Sequence, residues 1–241
     1  MSPKKTKVAS TYHAHRERQR RRILEAARTL FDENGIDRVP MAEITSASGV
    51  QASTVYQYFS SKDEIVWAIT GEVMKDAVAR GRQAMGAEST ALARIASLLE
   101  GMADELAERQ SEVRFMAQFD AMYARDWPAE RLLTLESQIN PEGFRGLRKL
   151  IRDGIAEGSF RPDLDPDLTM HAVMNAAVGA QRRLASLGNK VEQEYGQPID
   201  RLFRETIRVI LLGLCASPTP IVIKPPKPNT TSKSKAKRRL P

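Results

Sequence analysis

A group of hydroxyl, amide and ammonium side chains occupies residues 41–62, which read MAEITSASGVQASTVYQYFSSK. Hydroxyl groups such as those of Thr54, Tyr56 and Tyr58 are short neutral donors that suit phosphate oxygens. A glutamine amide, as in Gln57, can form two hydrogen bonds with adenine in the major groove. The residue types therefore predict a small surface that holds a DNA backbone and reads bases.

Two short helices joined by a glycine turn are predicted to carry this surface. The first has an apolar stripe at every third position, formed by Met41, Ile44 and Ala47. Gly49 follows where the chain must turn, because glycine tolerates the positive φ that such turns often need. In the second helix, steps of about 100° from the apolar Val55 leave Ser53 and Gln57 pointing away from the core. This is the layout of a helix-turn-helix.

A further helix is predicted to start after Ser61, because Ser61-Lys62-Asp63-Glu64 has the S-x-x-E form of a capping box. Lys62 then lies in the first turn, where its charge opposes the positive end of the helix dipole. A bound phosphate would account for a cation at that place. A lysine that is simply solvated is the alternative.

The order of these residues resembles the N-terminal motif of the TetR family of bacterial transcriptional regulators. The matching elements are Gly49-Val50, Thr54-Val55-Tyr56, Tyr58-Phe59 and Ser61-Lys62-Asp63. The resemblance implies an all-α fold, with a three-helix DNA-binding head over residues 16–62 and an α-helical ligand-binding and dimerisation body over residues 63–216. It assigns phosphate contacts to Thr54, Tyr56, Tyr58 and Lys62, and base contacts to Gln51, Ala52, Ser53 and Gln57.

Three positions depart from the usual pattern of that family, namely Pro40, Gln51 and Ser53. Pro40 suits the first turn of a helix, where its missing N–H is not required. Gln51 is a poorer N-cap than serine, so the recognition helix is either held less firmly at its start or uses Gln51 for a base contact. The departures bear on the operator sequence and not on the fold.

Basic charge is concentrated at the two ends of the chain. The 241 residues carry a formal net charge of +7, and residues 1–22 and 216–241 each contribute +7, so residues 23–215 carry −7. A strongly basic protein would suggest indiscriminate binding to nucleic acid. Here the folded part is acidic, and one basic segment leads directly into the predicted DNA-binding head.

Both terminal segments are predicted to be disordered, residues 1–15 as a basic arm and residues 217–241 as a tail rich in Pro and Lys. Arg16 and Arg18 follow the arm, and we expect them to contact the DNA backbone or the minor groove. A purely solubilising role is the alternative for both segments.

Apolar residues at helical spacing continue beyond the head, and no strand is predicted. The predicted helices cover residues 61–82, 90–110, 112–123, 129–137, 142–157, 166–187 and 198–216. In the TetR resemblance, the last two pack against a two-fold mate as a four-helix bundle. The expected interface residues are Ala176, Ala180, Ile207 and Leu211, with a place in the core of a single chain as the alternative.

A Met-rich and aromatic set of residues would converge in a TetR-like body. Its members are Met102, Phe115, Met116, Phe119, Met122, Tyr123, Trp127, Phe144, Met170 and Met174. Methionine adapts to irregular apolar shapes, which suits a pocket for a hydrophobic effector. We predict Met102, Phe119, Tyr123 and Met174 as ligand-binding residues, with ordinary core packing as the alternative.

Motifs of common enzyme and cofactor sites are absent from the sequence, including G-x-S-x-G, the P-loop, H-E-x-x-H and the dinucleotide-binding glycines. The histidines at positions 13, 15 and 171 have no partners at metal-ligand spacing. We therefore predict no enzyme activity, no cofactor and no metal. The single cysteine, Cys215, and the lack of a long apolar run predict a soluble cytoplasmic protein with no membrane partner.

Together these features predict a TetR-like DNA-binding transcriptional regulator. The expected protein is a repressor that binds a palindromic operator in double-stranded DNA as a homodimer and is released by a small, hydrophobic effector. The alternative is a nonspecific nucleic-acid-binding protein driven by the basic tails, whose affinity would fall steeply with salt.

Overall fold

Eleven α-helices build the described part of the chain, which in this computed structural model comprises residues 4–143 and 145–216, with side chains from residue 13 onward. In chain order they are α1 (Lys4–Asn34), α2 (Met41–Ser48), α3 (Ala52–Tyr58), α4 (Lys62–Gly86), α5 (Ala91–Glu108), α6 (Gln110–Asp126), α7 (Ala129–Ile139), α8 (Arg145–Ala156), α9 (Pro166–Leu187), α10 (Lys190–Tyr195) and α11 (Ile199–Leu214). The predicted all-α fold is confirmed. Within these residues, the only β pairing is an isolated bridge between Phe160 and Cys215.

The first helix is longer than the sequence predicted. It begins at Lys4, so the prediction of a disordered arm over residues 1–15 is wrong for residues 4–15, which form its first turns. No proline or glycine interrupts the sequence between Lys4 and Asn34, so nothing stops helical hydrogen bonding from propagating outward from the packed part of α1. Residues 1–3 and the predicted tail, residues 217–241, lie outside the described residues.

The body helices lie close to their predicted positions. α9 has the predicted bounds, whereas α4 continues to Gly86 instead of ending at residue 82. The sequence did not predict α10, because its six residues between Gly188 and Gly196 are too few for an apolar period to be recognised.

Two clusters of buried apolar residues form the core. The head cluster joins α1, α2 and α3 to the first half of α4 and to part of α6. The body cluster is formed mainly by α5, α8, α9 and α11. The predicted domain boundary at residue 62 coincides with the start of α4, whose side chains as far as Val73 belong to the head cluster.

The apolar stripe predicted on α2 is wrong at one position. Ile44 is buried and Met41 is half-buried, but Ala47 is exposed and Ser48 is buried instead. Because the helical period is 3.6 residues, the four-residue step from Ile44 to Ser48 returns to the buried side of α2 more closely than the three-residue step from Ile44 to Ala47. The Ser48 hydroxyl donates to the Thr45 carbonyl at 2.8 Å and accepts from the Val50 N–H at 3.2 Å, so its burial leaves it satisfied.

Candidate DNA-binding surface and ligand cavity

The turn between α2 and α3 is braced by the first helix. Gly49 has φ 60°, and a Cβ at this position would lie 2.6 Å from Nη2 of Arg22. The same Arg22 atom donates to the Gly49 carbonyl at 3.4 Å. The left-handed backbone therefore favours glycine at the turn, and a larger residue would also displace the end of the Arg22 side chain.

The outer face of α3 is polar and open to solvent. Val55 is fully buried, as its place opposite that face requires. The exposed residues of the segment are Gln51, Ala52, Ser53, Tyr56 and Gln57. Gln51 precedes the helix and makes no side-chain capping hydrogen bond, which leaves its amide on the same surface. The residues that the sequence assigned to base reading thus share one exposed face.

Tyr58, at the end of α3, contacts α1. Its hydroxyl donates to Oε1 of Gln19 at 3.3 Å, and the guanidinium carbon of Arg16 lies 5.6 Å from the centre of its ring. Tyr58 and Thr54 are both half-buried. Tyr58 therefore links α3 to α1 and places Arg16 beside the exposed face of α3.

Arg18 lies on another side of α1 from Arg16, because two residues turn a helix by about 200°. It is exposed and precedes Arg22 by one turn, which puts it on the side of α1 that faces the α2–α3 turn. The two arginines therefore lie on different sides of α1.

Lys62 is integrated into the head. Ser61 caps α4 by accepting from the Glu64 N–H, which confirms the predicted helix start. The ammonium group of Lys62 donates to the carbonyls of Ile36 at 2.8 Å and Asp37 at 3.3 Å. The solvated-lysine alternative is therefore wrong, since Lys62 ties the α1–α2 loop to α4. A phosphate contact would use its remaining N–H.

Two arginines hold α1 against α4. Arg20 and Arg28 donate to the two carboxylate oxygens of Glu72, at 2.8 and 2.9 Å. One carboxylate thus pairs with two cations that lie about two turns apart on α1, which ties α1 to α4.

A cavity of about 660 Å³ opens within the body, between α4, α5, α6, α8 and α9. Two of the four predicted ligand-binding residues, Met102 and Met174, line it. Met116, a member of the wider Met-rich set, also lines it, whereas sequence reasoning missed Met74, Met85 and Gln181. Methionines therefore do line the cavity, although α4 was not predicted as one of its walls.

The other two predicted ligand-binding residues do not line the cavity. Phe119 belongs to the head cluster, where its ring centre lies 5.1 Å from that of Trp67 and 5.6 Å from that of Trp127. Tyr123 packs against Phe119 with ring centres 6.1 Å apart. The prediction fails because both residues follow Met116 on α6, beyond the point where this helix leaves the cavity and enters the head cluster. Phe144 lies outside the described residues.

Charged groups around the cavity neutralise one another. Six basic and six acidic residues line it within the described part of the chain. Arg80 pairs with Glu105 at 2.8 Å, and Lys149 pairs with Asp153 at 2.6 Å. Arg182 contacts Asp120 across α9 and α6. The lining therefore offers apolar surface without a net charge.

The predicted interface residues fall into two groups. Ile207 is 3% exposed and belongs to the body cluster, so its prediction as an interface residue is wrong. Ala176 is exposed, and Ala180 and Leu211 are half-buried. Three large apolar side chains on the outer faces of α9 and α11 were not among the predicted interface residues, and these are Leu168, Val209 and Leu212.

The described residues contain no group of three His, Cys, Asp or Glu side chains that could hold a metal ion. Among the helices of this part of the chain, none is long and apolar enough to span a membrane. The histidines at positions 13, 15 and 171 are all exposed.

Residues 23–69, from the middle of α1 to the second turn of α4, match the family described as bacterial regulatory proteins, tetR family. The HTH-type transcriptional repressor KstR2 of Mycolicibacterium smegmatis is 23% identical over 179 residues, which cover 74% of this chain and 85% of the relative. The HTH-type transcriptional regulator YfiR of Bacillus subtilis is 29% identical over 162 residues, 67% of this chain and 75% of the relative.

A solved structure of a transcriptional regulator from Saccharomonospora viridis, in complex with choline, has the same fold. Its TM-score is 0.65 at 22% identity, and the match covers 82% of this chain and 98% of that one. The matched proteins are transcriptional regulators and not enzymes. The chain is therefore similar to bacterial transcriptional regulators of the TetR family, by the family match over residues 23–69 and by relatives that align with most of its length.

Proposed function

We propose that this protein is a transcriptional repressor that reads a palindromic DNA operator as a homodimer and leaves it when a small molecule occupies the body cavity. The exposed polar face of α3 carries the proposal, because Ser53, Tyr56 and Gln57 face solvent while Val55 is buried behind them. An exposed recognition helix of this kind enters the major groove in helix-turn-helix proteins.

DNA contacts are proposed for two sets of residues. Gln51, Ala52, Ser53 and Gln57 face the bases, since amide and hydroxyl groups there lie on the exposed side of α3. The backbone contacts are made by Thr54, Tyr56, Tyr58, Lys62, Arg16 and Arg18. Arg16 beside Tyr58, and Arg18 near the α2–α3 turn, would hold phosphates.

Dimerisation is proposed through the outer faces of α9 and α11, which are adjacent in the fold. Leu168 is 71% exposed, and Val209 and Leu212 are each 57% exposed. Small residues such as Ala176 and Gly179 lie exposed on the same side of α9, where they would allow another helix to approach closely. A two-fold pair would place two recognition helices about 34–36 Å apart, on half-sites one DNA turn from each other.

The dimer surface can be tested with a matched pair of substitutions. Leu212→Glu should convert the protein to a monomer, whereas Leu133→Glu on α7 should leave the dimer intact. Both leucines are similarly exposed, at 57% and 60%, so the comparison separates position from the effect of adding a charge. Multi-angle light scattering after size exclusion gives the mass. A wild-type monomer at micromolar concentration would contradict the proposal.

Coupling between cavity and DNA is proposed to run through α4 and α6. Val73 on α4 and Met116 on α6 belong to the head cluster and also line the cavity. An effector that prefers a cavity shape incompatible with operator spacing would lower DNA affinity through these helices. Equal spacing of the two heads with and without a bound effector would contradict this mechanism.

Selection of binding sites from a random DNA pool at near-physiological salt tests the DNA function. Enrichment of an inverted repeat is the expected result, and it supplies the operator for effector screening. Recovery of unrelated sequences, with affinity that falls steeply as salt rises, would favour nonspecific binding by the basic ends of the chain.

A further inference from the structure

One polar side chain stands apart from the rest of the cavity lining. Three polar or charged side chains are buried in the described part of the chain, namely Ser48, Thr70 and Gln181. Of these, Gln181 alone lines the cavity, where it is 6% exposed. The charged residues of the lining are more exposed and are largely paired with one another.

The amide of Gln181 has a fixed orientation. Its Nε2 donates to the backbone carbonyl of Met102 on α5 at 2.7 Å. Turning the amide over would bring Oε1 against that carbonyl oxygen, and two acceptors cannot share a hydrogen bond. The contact with Met102 therefore leaves Oε1 as the outward acceptor of the amide.

No hydrogen bond within residues 13–143 and 145–216 ends on Oε1 of Gln181, and this atom is not fully enclosed, so it is accessible from the cavity that Gln181 lines. An unpaired acceptor on a buried side chain that opens into a cavity favours a ligand that brings a donor and disfavours one that brings only acceptors. The balanced charges around the cavity give no advantage to a ligand that carries a net charge. About 660 Å³ lies within the range of small-molecule sites.

We infer that Gln181 determines effector specificity, and that the effector is a neutral, largely apolar molecule whose hydroxyl group donates to Oε1 of Gln181. This inference rests on the proposed role of the body cavity as the effector site. It predicts that two ligands of equal size and apolarity differ in affinity according to whether they carry a donor.

Isomeric probes test the inference directly. 1-Decanol and methyl nonyl ether have the same atoms, but only the alcohol can donate a hydrogen bond. Cyclododecanol and cyclododecanone form a second pair of different shape, matched in ring size although the ketone has two hydrogen atoms fewer. Affinities of the full-length protein are measured by displacement of Prodan, a neutral fluorophore that has no hydrogen-bond donor. We expect the alcohol to bind about fivefold to tenfold more tightly in at least one pair.

Gln181→Met keeps the length of the side chain and removes the acceptor. The variant should lose the preference for the alcohol while its affinity for the ether or ketone is unchanged within about twofold. Met174→Trp, which fills part of the cavity, should weaken all four probes and Prodan together. Thermal unfolding of each variant identifies any loss of folding, in which case the wild-type affinity ratios decide alone.

Each remaining outcome overturns the inference. Equal affinities within both pairs, or the same preference in Gln181→Met, would show that Gln181 does not select a donor, while the cavity would still stand as the effector site. Absence of binding by Prodan and all four probes, or binding that Met174→Trp does not alter, would overturn the proposed effector cavity together with this inference.

Discussion

The head and the body use their polar side chains in opposite ways. On α3 the polar residues point outward from a buried apolar side, and Tyr56 and Gln57 are exposed. Around the cavity, the charged residues pair with one another, as Arg80 does with Glu105. A surface that must bind an anionic polymer keeps its donors available, whereas a cavity for an apolar ligand is better served by charges that neutralise each other locally.

Phe119→Ala should have the largest effect and would sharpen the division between the two regions. Phe119 is 1% exposed and packs against Trp67 and Trp127 in the head cluster. Loss of a buried phenylalanine lowers the free energy of unfolding by about 3–5 kcal/mol. Met174→Ala, at a half-buried residue that lines the cavity, should cost less stability and should alter effector affinity instead. Urea denaturation measures the first effect and Prodan binding the second.

The division would fail if Phe119→Ala weakened Prodan binding without changing stability. That result would place the ligand among the aromatic residues of the head cluster, as the sequence alone had predicted for Phe119 and Tyr123.

Gln57→Ala should have the next largest effect, and it should be confined to DNA. Removal of a side chain that contacts a base costs about 1–3 kcal/mol at that base pair and relaxes the preference there. Tyr56→Phe removes only a hydroxyl from the same exposed face, so it should weaken binding evenly across operator variants. Competition binding with single-base operator variants distinguishes the two patterns. Indistinguishable profiles would contradict the division of α3 into base-reading and backbone-holding residues.

Lys62→Met should lower both the stability of the protein and its affinity for DNA. The substitution keeps the apolar stem of the side chain but removes the donors to the carbonyls of Ile36 and Asp37. Loss of hydrogen bonds from a half-buried charged group should lower the free energy of unfolding by about 1–2 kcal/mol. A fall in DNA affinity with unchanged thermal stability would mean that Lys62 acts mainly as a phosphate contact.

How much could be predicted from the sequence differs between the two regions for a physical reason. The head follows from a contiguous motif, in which Gly49, Val55 and the capping residue Ser61 act through local geometry. The cavity depends on how five helices converge. Periodicity identified the apolar side of α6 but could not tell that Met116 reaches both the cavity and the head cluster while Phe119, three residues later, lies in the head cluster alone.

The same limit applies to charge and to helix faces. The two hydrogen bonds from Lys62 to the α1–α2 loop join residues that lie 26 and 25 positions apart in the sequence. No local sequence pattern therefore predicts them. On α11, the apolar side is wide enough that the sequence could not divide it between core and surface. Packing buries Ile207 and leaves Val209 and Leu212 exposed.

Glu136→Gln should have the smallest effect and tests a half-buried carboxylate on α7 that stands outside the ion pairs of the body. No cation partner of Glu136 lies within the described part of the chain, and burial raises the pKa of its carboxyl group above the usual value. The folded protein therefore binds this proton more tightly than the unfolded chain, so stability falls as pH rises from the ordinary pKa of glutamate, about 4.3, through the raised pKa of the folded state. The glutamine variant should have the higher Tm at pH 7, and its advantage should vanish below about pH 4, where Glu136 of the wild type is protonated in both the folded and the unfolded state.

Glu130→Gln is the matched control on α7, because Glu130 lies exposed in the first turn, where its negative charge interacts favourably with the helix dipole. That substitution should lower Tm slightly at pH 7. Changes in Tm of opposite sign for the two variants would separate the penalty of burying a lone carboxylate from the general effect of removing a negative charge.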